Sequence, residues 1–416
     1  MSEWVRSELR QLASFQKGRK VEVQKYPATG FAPYLGAAAL SGAATEYAAT
    51  HNAVMADPSH VLMLWDGERA GLVGKGQDGV VSSTVSRLTP HAEVDGAFLY
   101  YALDRKFDWI QGIRTGTGVP HVPKDIGRIL HLDHPVDPVE QTRIAEVISS
   151  IDDAIAQTEE LIAKTQQIKA GLMHDLFTRG VTADGQLRPP REDAPEFYED
   201  SPLGWVPRGW SAPRLESLLA ETAVPMRSGP FGSALLKEEL VESGIPLLGI
   251  DNVHPEKFVP TYRRFVPLRK FAELRRYAVF PGDVIITIMG TVGRCCVYPG
   301  DAGPALSSKH LWTMTFDQSQ VLPELVCWQL GLSAWVRTWF LRHSQGGVME
   351  AIQSSTLRNV RLRVPPLPEQ ERIRERYMSL NALLHAEERS LGKLRRRRAG
   401  LMHDLLSGSV RVSEAV

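Results

Sequence analysis

The chain has 416 residues, 43% of them hydrophobic, enough for two or three domains with cores of their own. Its 48 Lys+Arg balance 48 Asp+Glu, which excludes a polybasic wrapper for nucleic acid and an acidic tail, so any nucleic-acid contact must be local. Three cysteines, Cys295 and Cys296 adjacent and Cys327 alone, exclude a disulfide framework and a CxxC zinc pair, and fit a reducing cytoplasm. The first ten residues lack the apolar core of a signal peptide, and no stretch reaches the ~18 uncharged apolar residues of a membrane helix.

In chain order, residues 1–136 form a first globular unit of short apolar runs punctuated by Gly and Pro. Residues 60–65 read as a strand before the Asp66-Gly67 turn, and 96–109 as a helix. Residues 137–181 read as a long helix: Asp137-Pro138 is an N-cap with an N1 proline, Gly180 marks the end, and Ile144, Ile148, Ile151, Ile155, Ile162, Leu172 and Leu176 form a heptad seam with off-beats at Thr158, Thr165 and Lys169. Residues 182–204 are rich in proline and predict an extended linker. A second globular unit, 205–366, carries a strand signal at 282–289, a Gly290-x-x-Gly293 turn and a helix at 323–342. Residues 367–410 predict a second long helix seamed by Ile373, Tyr377, Leu380, Leu384, Leu391, Leu394, Leu401 and Leu405, with off-beats at Glu387 and Arg398, before a tail at 411–416.

The two helices are copies. Gly171-Leu-Met-His-Asp-Leu176 recurs unchanged as Gly400-Leu-Met-His-Asp-Leu405, and residues 140–181 match 369–410 at 16 of 42 ungapped positions, 229 residues apart. Trp4 and Leu9 likewise match Trp210 and Leu215. Rods of about 55 Å cannot bury a seam alone, and the economical partner of each is the other, packed antiparallel about an internal pseudo-twofold axis. The fold class is α+β: two mixed α/β domains, each followed by a long helix, the helices forming an antiparallel coiled coil.

Chemistry-bearing motifs are missing. There is no GxxxxGK[ST] loop, since Gly71-Leu-Val-Gly74-Lys75-Gly76 has the wrong spacing; no Asn/Asp-Pro-Pro-aromatic tetrapeptide of an adenine methylase; and no HExxH. The repeated His174 and His403 read as helix-docking residues, and no catalytic or metal-ligating set is identified. Residues 1–139 carry 14 basic and 15 acidic residues, whereas 211–367 carry 17 and 13, so only the second unit is basic. Within it Arg263 and Arg264 begin a run suited to phosphates. The run Arg395-Arg396-Arg397-Arg398 reads as a solvated helix face.

The Glu-Gln-x-Arg-Ile openings at Glu140 and Glu369, the Gly-Leu-Met-His-Asp-Leu endings, and Gly204-Trp205-Val-Pro207-Arg-Gly-Trp210 at the start of the second unit make the chain similar to the specificity subunits of type I restriction-modification enzymes. Pro281-Gly282-Asp283, Gly290-x-x-Gly293 and Ser307-Ser308 resemble that family's second-domain landmarks, while the first unit has Pro58-Ser59 where Pro-Gly-Asp is expected. The resemblance implies a non-catalytic, cytoplasmic reader of double-stranded DNA whose two target-recognition domains each take half of a bipartite, asymmetric site. Two modification subunits would methylate adenine N6 with S-adenosylmethionine, and two motor-nuclease subunits would use ATP and Mg; the chain itself would bind no cofactor.

Polar groups beside glycine turns are the expected base and phosphate contacts: Lys75, Ser82, Ser83, Arg114, Thr117 and His121 in the first unit, and Arg263, Arg264, Arg294, Ser307, Ser308, Lys309, His310 and Gln345 in the second. The repeated helix positions Glu140, Gln141, Leu172, Met173, Leu176, Glu369, Gln370, Leu401, Met402 and Leu405 are the expected contacts to partner subunits. The alternative reading is a two-headed protein-binding scaffold without DNA readout, which overall neutrality would suit.

Overall fold

The computed structural model describes residues 3–42, 44–116, 118–343 and 352–412. Its longest elements are two helical rods, Pro138–Thr178 and Leu367–Leu405, where the repeat predicts them. Asp137 Oδ1 accepts the Val139 N–H at 2.9 Å, the predicted cap of the first rod. Gly180 (φ 67°) and Gly408 (φ 72°) follow the rod ends in the left-handed region that favours glycine. No described helix is long and apolar enough to cross a membrane.

Two compact units divide the chain, 1–162 with 386–416 and 163–385. In the first, a four-stranded antiparallel sheet orders Ala13–Lys17, Val85–Pro90, Val61–Leu64 and Val73–Lys75, and a five-stranded sheet holds a parallel pair, Phe31–Leu35 with Gly79–Val81. Val61–Leu64 is apolar throughout because both its faces are covered. Val61 and Met63 join the core of Leu9, Leu88, Phe98 and Leu103, while Leu62 and Leu64 join Leu35, Val54 and Val81.

The second unit repeats this scheme. Met226–Ser228, Leu311–Met314, Val284–Thr287 and Cys295–Val297 form its four-stranded sheet, and Ile245–Leu248 pairs parallel with Ala305–Ser307. Val284 and Ile286 face one core and Ile285 another. Each predicted helix of the globular units is broken in two: Gly96–Asp104 and Phe107–Gly112 in one, Pro323–Leu332 and Ala334–Arg342 in the other, where Ser333 is extended (φ −79°, ψ 132°). The linker is less free than its composition predicts. Tyr198 is buried with its hydroxyl on the Pro189 carbonyl at 2.6 Å, and Tyr198–Glu199 pairs with Val206–Pro207.

Each unit contains the opening turns of one rod and the closing turns of the other. Ile144, Ala145 and Ile148 share a core with Met402, Leu405 and Leu406 in the first unit, and Ile373 and Tyr377 share one with Met173, Leu176 and Phe177 in the second. Start meets end in both, an antiparallel pairing. Away from these ends the rods are more open, with Leu161 and Ile168 exposed.

The repeated Glu-Gln pairs serve these junctions, which corrects their reading as partner contacts. Gln141 is fully buried: its Oε1 accepts the Asp95 N–H at 2.9 Å, and its Nε2 donates to the carbonyls of Glu93 (3.2 Å) and Pro135 (2.9 Å). Gln370 makes the same three bonds, from Leu322 N–H and to Gln320 and Pro365 carbonyls, at 2.8 Å each. Glu140 accepts the Trp4 indole at 3.3 Å and Arg411 at 3.1 Å; Glu369 accepts the Trp210 indole at 3.1 Å, the Val181 N–H at 2.8 Å and both Nη atoms of Arg188. Met173, Leu176, Met402 and Leu405 are buried in the same cores, and Leu172 and Leu401 pack on them half-buried. Met173, Leu176, Met402 and Leu405 are therefore internal as well.

The off-beats Lys169 and Arg398 occupy equivalent rod positions, and both are ion-paired. Arg398 donates to Asp152 at 2.5 Å and Asp104 at 3.1 Å, while Lys169 meets Glu256 at 2.7 Å, a carboxylate that also accepts the Tyr377 hydroxyl at 2.5 Å. Truncating Glu369, which would strand Arg188 and the Trp210 indole, is expected to cost about 3–5 kcal/mol by urea denaturation. Arg395→Ala, which removes the half-exposed pair with Glu159 at 2.6 Å, is expected to cost under about 1 kcal/mol.

Candidate nucleic-acid interface

In the second unit the parallel pair and its neighbours converge on one turn. Ala305–Ser307 ends at Ser308-Lys309-His310, which leads into Leu311–Met314, and the His310 carbonyl accepts the Ile288 N–H at 3.0 Å. That bond seats the adjacent 289–293 turn, whose Gly290 (φ 74°) and Gly293 (φ 87°) take left-handed conformations. The turn closes on Thr287, whose Oγ1 donates to the Thr291 carbonyl and accepts the Arg294 N–H at 3.0 Å. Gly229 lies under the Ser307–Ser308 backbone so closely that an added Cβ would stand 2.2 Å from the Ser307 carbonyl. Gly18 of the first unit repeats this contact, with the Ser82 carbonyl at 2.2 Å.

Behind the turn, Asp283 is buried with Arg227. Arg227 donates to Asp283, to the Ala278 carbonyl at 2.6 Å and to Thr315 Oγ1 at 2.9 Å; Asp283 also accepts the Phe280 N–H at 2.8 Å and the Thr315 hydroxyl at 2.5 Å. Burial pushes the Asp283 carboxyl above its ordinary range, and the Arg227 charge and these hydrogen bonds oppose that push. The Pro281-Gly282-Asp283 landmark is thus a framework element.

Five of the predicted cations and rings gather at this edge. Arg263 and Arg294 line one cavity of ≈ 440 Å³ with Asp251, His254, Thr261 and Thr291. Arg264 pairs with Asp251 at 3.2 Å, and Arg264 and Lys309 both act on His310. Burial first, then those two positive charges, hold the His310 imidazole below its ordinary pKa. It is therefore neutral at pH 7, with one donor and one acceptor to offer. Asp251, His254, Thr261 and Thr291 belong to this edge and went unread in the sequence, because no spacing or glycine ties them to the turn.

Ser307 and Ser308 are a correction: both are buried. Ser307 Oγ accepts from Thr313 at 3.0 Å, and the Ser308 hydroxyl, without a partner among the described residues, is enclosed as well. Gln345 lies outside the described residues. A larger cavity, ≈ 750 Å³, is lined by Trp335, Trp339, Arg342 and Arg361 and contains none of the predicted reading residues.

The first unit's candidates gather less well. Ser82 is buried, bonded to the Tyr34 hydroxyl at 2.9 Å and Thr84 Oγ1 at 3.0 Å, so it too is framework. Ser83 beside it is half-buried. His121 Nδ1 meets Asp66 at 2.7 Å, and Lys17 reaches the same carboxylate at 2.7 Å. Burial raises Asp66, but Lys17 and His121 outweigh it and leave the carboxyl below its ordinary range. Arg114 spends its guanidinium on the carbonyls of Gln111 (2.9 Å) and Glu68. Lys75 is drawn to another place, over the rings of Tyr101 (5.1 Å) and Tyr100 (5.5 Å). Thr117 lies outside the described residues.

Residues 1–169 match the family described as the type I restriction modification DNA specificity domain. Along most of its length the chain is similar to the type I restriction enzyme MjaVIII specificity subunit of Methanocaldococcus jannaschii, 26% identical over 394 residues, covering 92% of this chain and 87% of that one. The putative MjaX specificity subunit of the same organism is 23% identical over 68% of this chain and 61% of its own length. Among solved structures, the S subunit of a type I system from M. genitalium superposes with a TM-score of 0.61 at 14% identity, covering 97% of this chain and 96% of that one. A chain from a study of complex assembly and conformational transition of the type I R-M system gives 0.55 at 16% identity, with 97% of each covered.

His310 should titrate below 6.5 by NMR, and Lys309→Gln should raise its midpoint, because a neighbouring positive charge opposing protonation is gone. An unmoved midpoint would leave burial and the Arg264 charge as the causes.

Proposed function

We propose that this chain, a type I restriction-modification specificity subunit, reads a bipartite, asymmetric target in double-stranded DNA, one half through each globular unit. The observation that carries this reading is the duplicated framework with unlike edges. The same two-sheet scheme and the same glycine-under-serine turn occur in both units. The second ends in Arg263, Arg264, Arg294, Lys309 and His310, whereas the first ends in the Lys17–Asp66–His121 cluster. Base edges are distinguished by the pattern of donors and acceptors presented to them, so unlike edges on like frameworks select unlike sequences.

On this reading Arg263 and Arg294 approach guanine edges or phosphates as bidentate donors, and neutral His310 supplies one donor or one acceptor. The chain positions DNA and does no chemistry. Two modification subunits methylate adenine N6 with S-adenosylmethionine, and two motor-nuclease subunits act with ATP and Mg. Because the formal net charge is zero, the isolated chain binds DNA weakly, and tight binding requires the basic surfaces of its partners.

The test is Arg294→Ala in the assembled methyltransferase. Target binding should weaken about 10–100-fold, corresponding to the loss of one specific contact of about 1–3 kcal/mol. Sequencing of methylated genomic DNA should show relaxation in one half of the target only. Relaxation of both halves, or of neither with unchanged affinity, would overturn the assignment.

A further inference from the structure

The arginine run of the second rod divides in two. Arg395 and Arg398 are paired with Glu159 and Asp152, respectively, whereas Arg396 and Arg397 are exposed and have no ion pair among the described residues. Arg389 and Lys393, about two turns and one turn before Arg396, are exposed and have no ion pair among the described residues. At about 100° per residue, Arg389, Lys393 and Arg396 fall within a narrow outward strip, directly opposite the half-buried positions Leu391, Leu394 and Arg398. The cations recur about every 4.5–6 Å along this strip.

Like charges at i,i+4 repel, so the strip destabilises its own helix unless an anion covers it. The first rod has no such strip: the equivalent positions, 229 residues earlier, are Glu160, Lys164 and Gln167. A protein bound alike to both rods would call for the same charges on both. A single regular polyanion calls for them on one.

We infer that Arg389, Lys393 and Arg396 grip the phosphate backbone of the DNA duplex outside the two base-read half-sites, making the second rod a sequence-independent contact. This inference rests on the DNA-reading function proposed above. It adds a phosphate track on the rod, separate from the sequence-reading edges.

The test is a salt titration of duplex binding by the chain in its methyltransferase complex, using a mixed-sequence duplex and fluorescence anisotropy. The variant Arg389→Gln/Lys393→Gln/Arg396→Gln should lower the slope of log affinity against log salt by about 3 relative to wild type, since each neutralised phosphate contributes about 0.9. The methylated sequence should stay the same. Arg389→Lys/Arg396→Lys, which keeps the charges, should keep the slope. Coincident slopes for wild type and the glutamine variant would overturn the inference, as would loss of the modification subunit from the complex at an unchanged slope, which would assign the strip to a protein. If the wild type proves unable to prefer any target over mixed sequence, the reading function fails, and the slope comparison still decides the strip.

Discussion

A buried glutamine in the first turn of each rod, beside a glutamate that is half-buried in the first rod and buried in the second, sets the geometry on which the rest of the structure depends. Gln141 and Gln370 each use one carbonyl and one amide to tie the rod to the strand end before it and to the helix that packs beside it. A buried amide satisfied at three points has little freedom to rotate or slide, because each lost bond leaves a desolvated polar group behind. Glu369, only 3% exposed, tolerates its charge because the Arg188 guanidinium, an indole N–H and a backbone N–H surround it. Each rod is therefore tied by its first turn to the unit in which it starts, and there its opening turns pack on the closing turns of the other rod.

Much of this was legible in the sequence, and the misreadings have a common physical source. The duplication, the rod boundaries and the antiparallel pairing follow from periodicity, caps and identity across 229 residues, all of which are local or repetitive signals. Identity alone does not say which way a side chain faces. Glu140, Gln141, Met173 and Leu176 recur because they close the same internal junction twice, yet recurrence reads equally well as a shared outer surface. Lys169 and Arg398 interrupt the seam for a reason visible only in three dimensions: their carboxylate partners Glu256, Asp104 and Asp152 lie 87, 294 and 246 residues away.

The reading edge was harder still. Ser82, Ser307 and Ser308 were attractive because hydroxyls beside glycine turns suit base edges, but the same turns place their backbone against Gly18 and Gly229 and their side chains inside. What reaches outward is the chain that follows, Lys309 and His310, together with arginines from loops distant in sequence. Net charge of each segment pointed to the second unit as the more basic, and its cation-rich edge accounts for that bias.

The glycine contacts beneath the serine turns carry an evolutionary consequence. Backbone pressed on backbone leaves no side chain there to mutate, so the footing of each reading loop is indifferent to the residues mounted above it. On the proposed reading, new half-site preferences can accumulate at the rim by drift or recombination while the platform stays unaltered, so a change in what is recognised does not require the unit to refold.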